Sequence, residues 1–154
     1  MIGIVVLIGI AAVVFFIQNR QPEVAPIDAT PTPSLEERQQ EMEDRFRVDI
    51  PDDVDKANLE GNGGSGIATR DGQEVGSSVT VLADLPDPES GKFYQAWLRK
   101  DGELESLGVM SVVKGGYLLD SSLRESGVSY NDVVITLETT LDDNPETIIL
   151  QGSF

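Results

Sequence analysis

The chain has 154 residues, with 27 Asp and Glu against 11 Lys and Arg, a net charge of −16, and neither cysteine nor histidine. A field of that sign repels phosphate and anionic lipid heads, which argues against nucleic-acid binding and leaves a solubilising surface as the plainest role for the acid. Without Cys or His the chain has no disulfide framework, no zinc site of the Cys/His kind, no His-based triad and no Cys nucleophile.

Residues 1–17, MIGIVVLIGIAAVVFFI, carry no charged side chain and no proline. A helix that crosses the hydrocarbon needs about 20 apolar residues, with roughly 17 at the lower end. Gln18 and Asn19 extend the segment at the interface. A secretory signal would bring a basic leader and a small-x-small cleavage site, and both are missing. A buried core helix would need a helical partner, which nothing downstream resembles. An uncleaved membrane anchor over 1–19 is therefore the preferred reading, with the lipid bilayer as its partner. Arg20 is the one basic residue close to its end, and Glu23 and Asp28 follow, so the positive-inside rule does not settle the orientation.

Residues 20–33 read as a linker that Pro22, Pro26, Pro31 and Pro33 stiffen towards polyproline geometry. A short acidic helix is expected over 34–48. Ser34 and Glu37 fit a capping box, and Glu41 with Arg45 and Glu43 with Arg47 are i,i+4 pairs in the favourable order. Its apolar positions, Leu35, Met42 and Phe46, form a thin stripe, suited to a solvated spacer or a dock onto a domain more than to a coiled coil. Residues 49–64 read as an irregular acidic and Gly-rich linker.

From residue 65 to 154 the signals are β. Val79, Val81, Ala83 and Leu85 alternate with Ser78, Thr80 and Asp84, broken only by Leu82. Val133, Ile135 and Leu137 alternate with Thr136 and Glu138, and Ile148, Leu150 and Phe154 with Thr147, Gln151 and Ser153. A period of two buries one face. Further strands are expected near 66–70, 93–99, 106–112 and 117–119, separated by Gly, Pro and Asp turns. The expected fold is mainly β: a small antiparallel sandwich, immunoglobulin-like, of about seven strands. Phe154 is expected to pack on the core.

Several motifs point to chemistry only weakly. Gly61, Gly63 and Gly66 match G-x-G-x-x-G, but no helix follows, so a flexible lead into the first strand accounts for them. Ser111 and Lys114 match S-x-x-K without the companion motifs of serine acyl enzymes. Asp52, Asp53 and Asp55, and Asp142 and Asp143, are weak calcium candidates lacking EF-hand spacing, and solvated acidic loops are the better account. No cofactor, metal or catalytic set is expected. Tyr94 and Trp97, three apart on a strand, fall on opposite faces, so one ring can be core while the other joins a surface patch that stacks on a glycan or a partner. The core is the preferred place for Trp97.

The run DLPDPESGKFYQAWL, followed by SLGVM, VVITLE and NPETIILQG, resembles the C-terminal domain of anti-sigma-K factors over roughly 65–154. The matching residues are Leu85, Pro86, Gly91, Tyr94, Gln95, Trp97, Leu98, Gly108, Thr136, Leu137, Glu138 and Pro145. The resemblance implies an extracytoplasmic β domain, single-pass in the plasma membrane, whose shared Tyr, Trp and Glu positions are structural. In that family a cytoplasmic part preceding the membrane helix grips a sigma factor, and regulated intramembrane proteolysis releases it. The sequence here starts at the apolar segment, so the resemblance carries over the regulatory domain without the sigma-binding part. The expected function is a non-enzymatic regulatory or sensory module with a protein partner; a glycan- or ligand-binding envelope module is the alternative.

Overall fold

The structure, a computed structural model, describes residues 32–71, 77–123 and 129–154. The expected anchor over 1–19 and most of the Pro-rich linker lie outside the described residues. Among the described residues no helix is long and apolar enough to cross a membrane.

Among the described residues one helix, α1 (Leu35–Phe46), precedes the strands. Its start is as expected: Ser34 accepts from the Glu37 backbone and Glu37 from the Ser34 backbone, closing the capping box. It ends at Arg47, which turns left-handed at φ 57°. The strands are β1 (Asp55–Gly61), β2 (Gly64–Arg70), β3 (Ser78–Asp84), β4 (Phe93–Lys100), β5 (Glu103–Val109), β6 (Ser111–Val113), β7 (Gly116–Ser122), β8 (Asp132–Glu138) and β9 (Thr147–Ser153).

The expectation of about seven strands in a two-layer sandwich is corrected. Among the described residues nine antiparallel strands form one sheet in the order β5-β4-β8-β9-β1-β2-β3-β7-β6. Its two edge strands, β5 and β6, are consecutive in the chain with Met110 between them, and the Met110 amide bonds the Tyr94 carbonyl at 2.9 Å. The chain thus leaves one edge and at once joins the other, which curls the sheet into a nearly closed barrel. A single strand had been expected near 106–112. Gly108, at φ +130°, and a register shift opposite Ala96 and Trp97 mark the bulge that precedes the break.

The other added strand, β1, falls inside the stretch read as a linker over 49–64. It pairs with β2 through a tight turn at Asn62-Gly63, with Gly63 at φ +119°. The three glycines of the G-x-G-x-x-G match are therefore parts of a hairpin.

Two apolar clusters form on opposite faces of the sheet. The barrel interior holds Ala57, Leu59, Ala68, Val79, Val81, Ala83, Tyr94, Leu98, Val133, Ile135 and Leu150, with Phe154 packed against it. The outer face of β2 and β3 offers Ile67 and Leu82, which α1 covers with Met42 and Phe46, aided by Ile50. Leu82 breaks the alternation of β3 because it is the outward residue that meets this helix.

Candidate functional site

Polar side chains lock α1 to the sheet. Buried Arg38 donates from Nε to Asn58 Oδ1 of β1 at 3.0 Å, and Gln39 Nε2 reaches the Ile50 carbonyl at 3.1 Å. Arg45 donates from Nε to the Gly115 carbonyl at 2.7 Å and pairs with Asp84 of β3. Neither expected helix pair forms: Arg45 is drawn to the sheet, and Glu43 accepts from Gln39 and from the Ile50 amide, both at 3.0 Å. Those two bonds, the Gln39 amide foremost, hold the Glu43 carboxyl below its ordinary range. Gly115 and Gly116 sit where no side chain fits. A Cβ on Gly115 would lie 2.6 Å from the Arg45 carbonyl oxygen, and one on Gly116 2.4 Å from that of Ala83.

The residues that carry the family pattern separate into an inner and an outer group. Tyr94 turns inward and meets Tyr117 edge to face, with centroids 4.9 Å apart. The Tyr94 hydroxyl donates to the Pro86 carbonyl at 3.0 Å, and Tyr117 donates to Asp87 Oδ1 at 3.2 Å, so two tyrosines clip the Leu85–Asp87 loop. Burial raises both phenols above their ordinary pKa, and Asp87 adds to it. Leu98 is buried in the same core, and Leu137 packs against it half-buried. Gly91, at φ +85°, forms the turn before β4.

The outer group is polar and buried. Trp97 Nε1–H donates to Thr136 Oγ1 at 2.7 Å, and the Thr136 hydroxyl donates to the Gln95 carbonyl at 3.3 Å. Gln95 Nε2 donates to Ser106 Oγ at 2.8 Å, while Gln95 Oε1 has no partner. Glu138 is buried and accepts the Glu146 amide at 3.1 and 3.2 Å, just after Pro145. Glu146 in turn accepts from the Thr139 amide at 2.9 Å, the Thr139 hydroxyl at 2.7 Å and the Thr140 amide at 3.0 Å. These bonds, the Thr139 hydroxyl first, hold its carboxyl below the ordinary range.

Tyr94 joins the interior cluster with Ala96 and Leu98 while Trp97 lies outside it, as the parity argument has it, yet at 4 % and 1 % exposure neither ring forms a surface patch. The glycan-stacking alternative thereby loses its aromatic. The carboxylates do not gather either: among the described residues no three acidic side chains are placed to hold a metal. Asp55 accepts from Arg70 Nη2 at 2.7 Å, Asp52 faces Lys56 at 3.8 Å, and Asp142 accepts from the Asn144 amide at 2.7 Å. Asp53 and Asp143 are exposed, as are Ser111 and Lys114.

Arg70 is a structural centre that the sequence reading missed. Besides Asp55 it donates to the Tyr130 carbonyl at 2.5 Å and lies 4.2 Å above the Phe154 ring, closing one end of the barrel. Its signal was an arginine at an inward-facing position of β2. Nearby, Asp132 accepts from the Ser153 hydroxyl at 2.7 Å and from Arg99 Nε at 2.9 Å, and these bonds lower its pKa.

The family model described as anti-sigma-K factor rskA, C-terminal, matches residues 4–147. No curated protein and no solved structure matches the chain.

Proposed function

We propose, since the chain belongs to the anti-sigma-K factor C-terminal family, that it is a membrane-anchored, extracytoplasmic regulatory or sensory module for sigma-factor-dependent transcription. In this reading it acts by protein–protein contacts and catalyses no reaction. The observation that carries it is the docked helix. α1 comes directly after the Pro-rich stretch, and Arg38, Gln39 and Arg45 fasten it to β1, to the Ile50 turn and to the β3–β7 region. A partner that prefers the docked or the released helix shifts the balance between them, and so acts on the segment that leads to the anchor. The apolar run 1–17 supports the anchor, and the family supports the side of the membrane.

A reporter enzyme that works only outside the cytoplasm, fused after Phe154, is expected to be active and to sediment with membranes. Activity of a cytoplasm-only reporter at the same position refutes the topology. Deleting the gene is expected to change transcription from promoters that share one sigma-factor recognition pattern; an unchanged profile removes the link to transcription.

A further inference from the structure

After α1, residues 48–51 border the outer face of β2, β3 and β7. A hollow of about 220 Å³ lies between them. Val48, Ile50, Ile67 and Leu82 are among its lining residues, and so are Asp49 and Asp120; Ile50, Ile67 and Leu82 are buried. We infer that this hollow is an anchoring pocket for one aliphatic side chain of a partner protein, presented beside a lysine or arginine.

Size decides against a drug-sized ligand, whose pockets start at about 300 Å³. The space suits one or two side chains, the scale at which an interface anchor is bound. The lining decides the chemistry of the anchor. Val48 is 39 % exposed, and Ile50, Ile67, Leu82 and Leu118 add hydrocarbon to the lining, so an aliphatic group entering it leaves water and gains apolar contact.

Charge decides the neighbour. Asp120 is oriented by the Thr80 hydroxyl, which donates to it at 2.6 Å, and Asp49 is exposed. Among the described residues neither carboxylate forms an ion pair with a Lys or Arg. A chain of net charge −16 also gathers cationic partners and repels its own copies, which disfavours a second copy as the occupant. Because Ile50 and Leu82 belong to the cluster that Met42 and Phe46 complete, a side chain in the pocket touches the residues on which α1 rests.

The inference rests on the reading of the domain as a protein-contact module, and one titration separates the two. The full chain, in detergent and labelled for NMR, is titrated with a short alanine-based peptide carrying one Leu between two Lys. Control peptides place the Leu between two Glu, or a Ser between two Lys. Saturable shifts of the Thr69 and Thr80 amides with the Lys-Leu-Lys peptide alone are expected, with affinity falling about tenfold in Asp49→Lys. Equal shifts with the Glu-flanked peptide, or no shift in the hollow, overturn the inference. Shifts that grow with protein concentration and no peptide identify a second copy as the occupant and overturn it too. Saturable shifts on another face alone sink the pocket and spare the protein-contact reading. A photo-crosslinker scanned over the exposed surface in cells that never yields a protein adduct sinks that reading.

Discussion

The two outer flanks of the curled sheet are covered in opposite ways. On β2 and β3, Ile67 and Leu82 lie under Met42 and Phe46 of α1, an apolar contact with little directionality that Arg38, Gln39 and Arg45 bond at its margins. On β4 and β8, Trp97, Gln95, Thr136 and Glu138 are buried in hydrogen bonds of fixed geometry. The first flank can be uncovered by moving one helix. The second is made by side chains of paired strands, Trp97 to Thr136 of β8 and Gln95 to Ser106 of β5, so it ties β4 to both neighbours. Regulation therefore has a place to act at the helix, while the polar flank fixes the register that the rest of the barrel needs.

Trp97→Ala tests the polar flank hardest. The lost indole leaves a cavity and strands Thr136, so a loss of roughly 3–5 kcal/mol in unfolding free energy is expected. Urea unfolding followed by circular dichroism measures it, since Trp97 is the chain's one tryptophan. A loss under 1 kcal/mol, on the order of a surface substitution, would show that this flank does not hold the fold.

Met42→Ala is the matching test of the apolar flank, at about 2–3 kcal/mol. Its loss is capped, because α1 can detach before the barrel unfolds. Hydrogen exchange should then quicken in α1 and spare β4 and β8. Equal acceleration in helix and sheet would mean that the two flanks unfold as one unit.

How far the sequence revealed each flank follows the same division. The helix was readable because its signals are local: the Ser34–Glu37 box followed by a run of helix-forming residues. Its docking contacts were not: Arg38 pairs with Glu41 within the helix and still reaches Asn58, while Arg45 leaves the helix for Asp84 and Gly115. β1 was hidden by its composition, with Ala57 and Leu59 its two apolar inward residues among charged and polar ones. The Asn62-Gly63 dipeptide was its signal, a strong hairpin cue taken for a flexible linker. On the polar flank the resemblance named the residues, and the parity of Tyr94 and Trp97 gave their faces. That both faces of β4 are buried could not be read from one strand, because it depends on what lies across the sheet. Barrel closure turned on a single residue, Met110, where a strand of uniform pattern changes edges.

Thr136→Val is milder than removing the indole. It keeps the volume and removes the acceptor for Trp97 Nε1–H, at a cost of about 1–2 kcal/mol. A double-mutant cycle with Trp97→Phe, which lacks the donor, should show that the cost belongs to this bond. If Thr136→Val costs the same in the Trp97→Phe background, the hydroxyl stabilises the flank by another route.

The smallest effect belongs to the loop that seals this flank. Glu146 is exposed, yet Thr139 and Thr140 bind its carboxylate and lower its pKa below that of the unfolded chain. A depressed carboxyl stabilises the fold above its unfolded pKa, and that contribution disappears as pH falls through the folded value. The Thr139 and Thr140 amide resonances should therefore titrate with a midpoint below the ordinary glutamate range. Glu146→Gln should abolish that titration and slightly lower stability at neutral pH, with the difference from wild type vanishing in acid. A midpoint at or above the ordinary range would show the carboxylate to be free in solution, and the Glu138–Glu146 contact would then have to hold the loop alone.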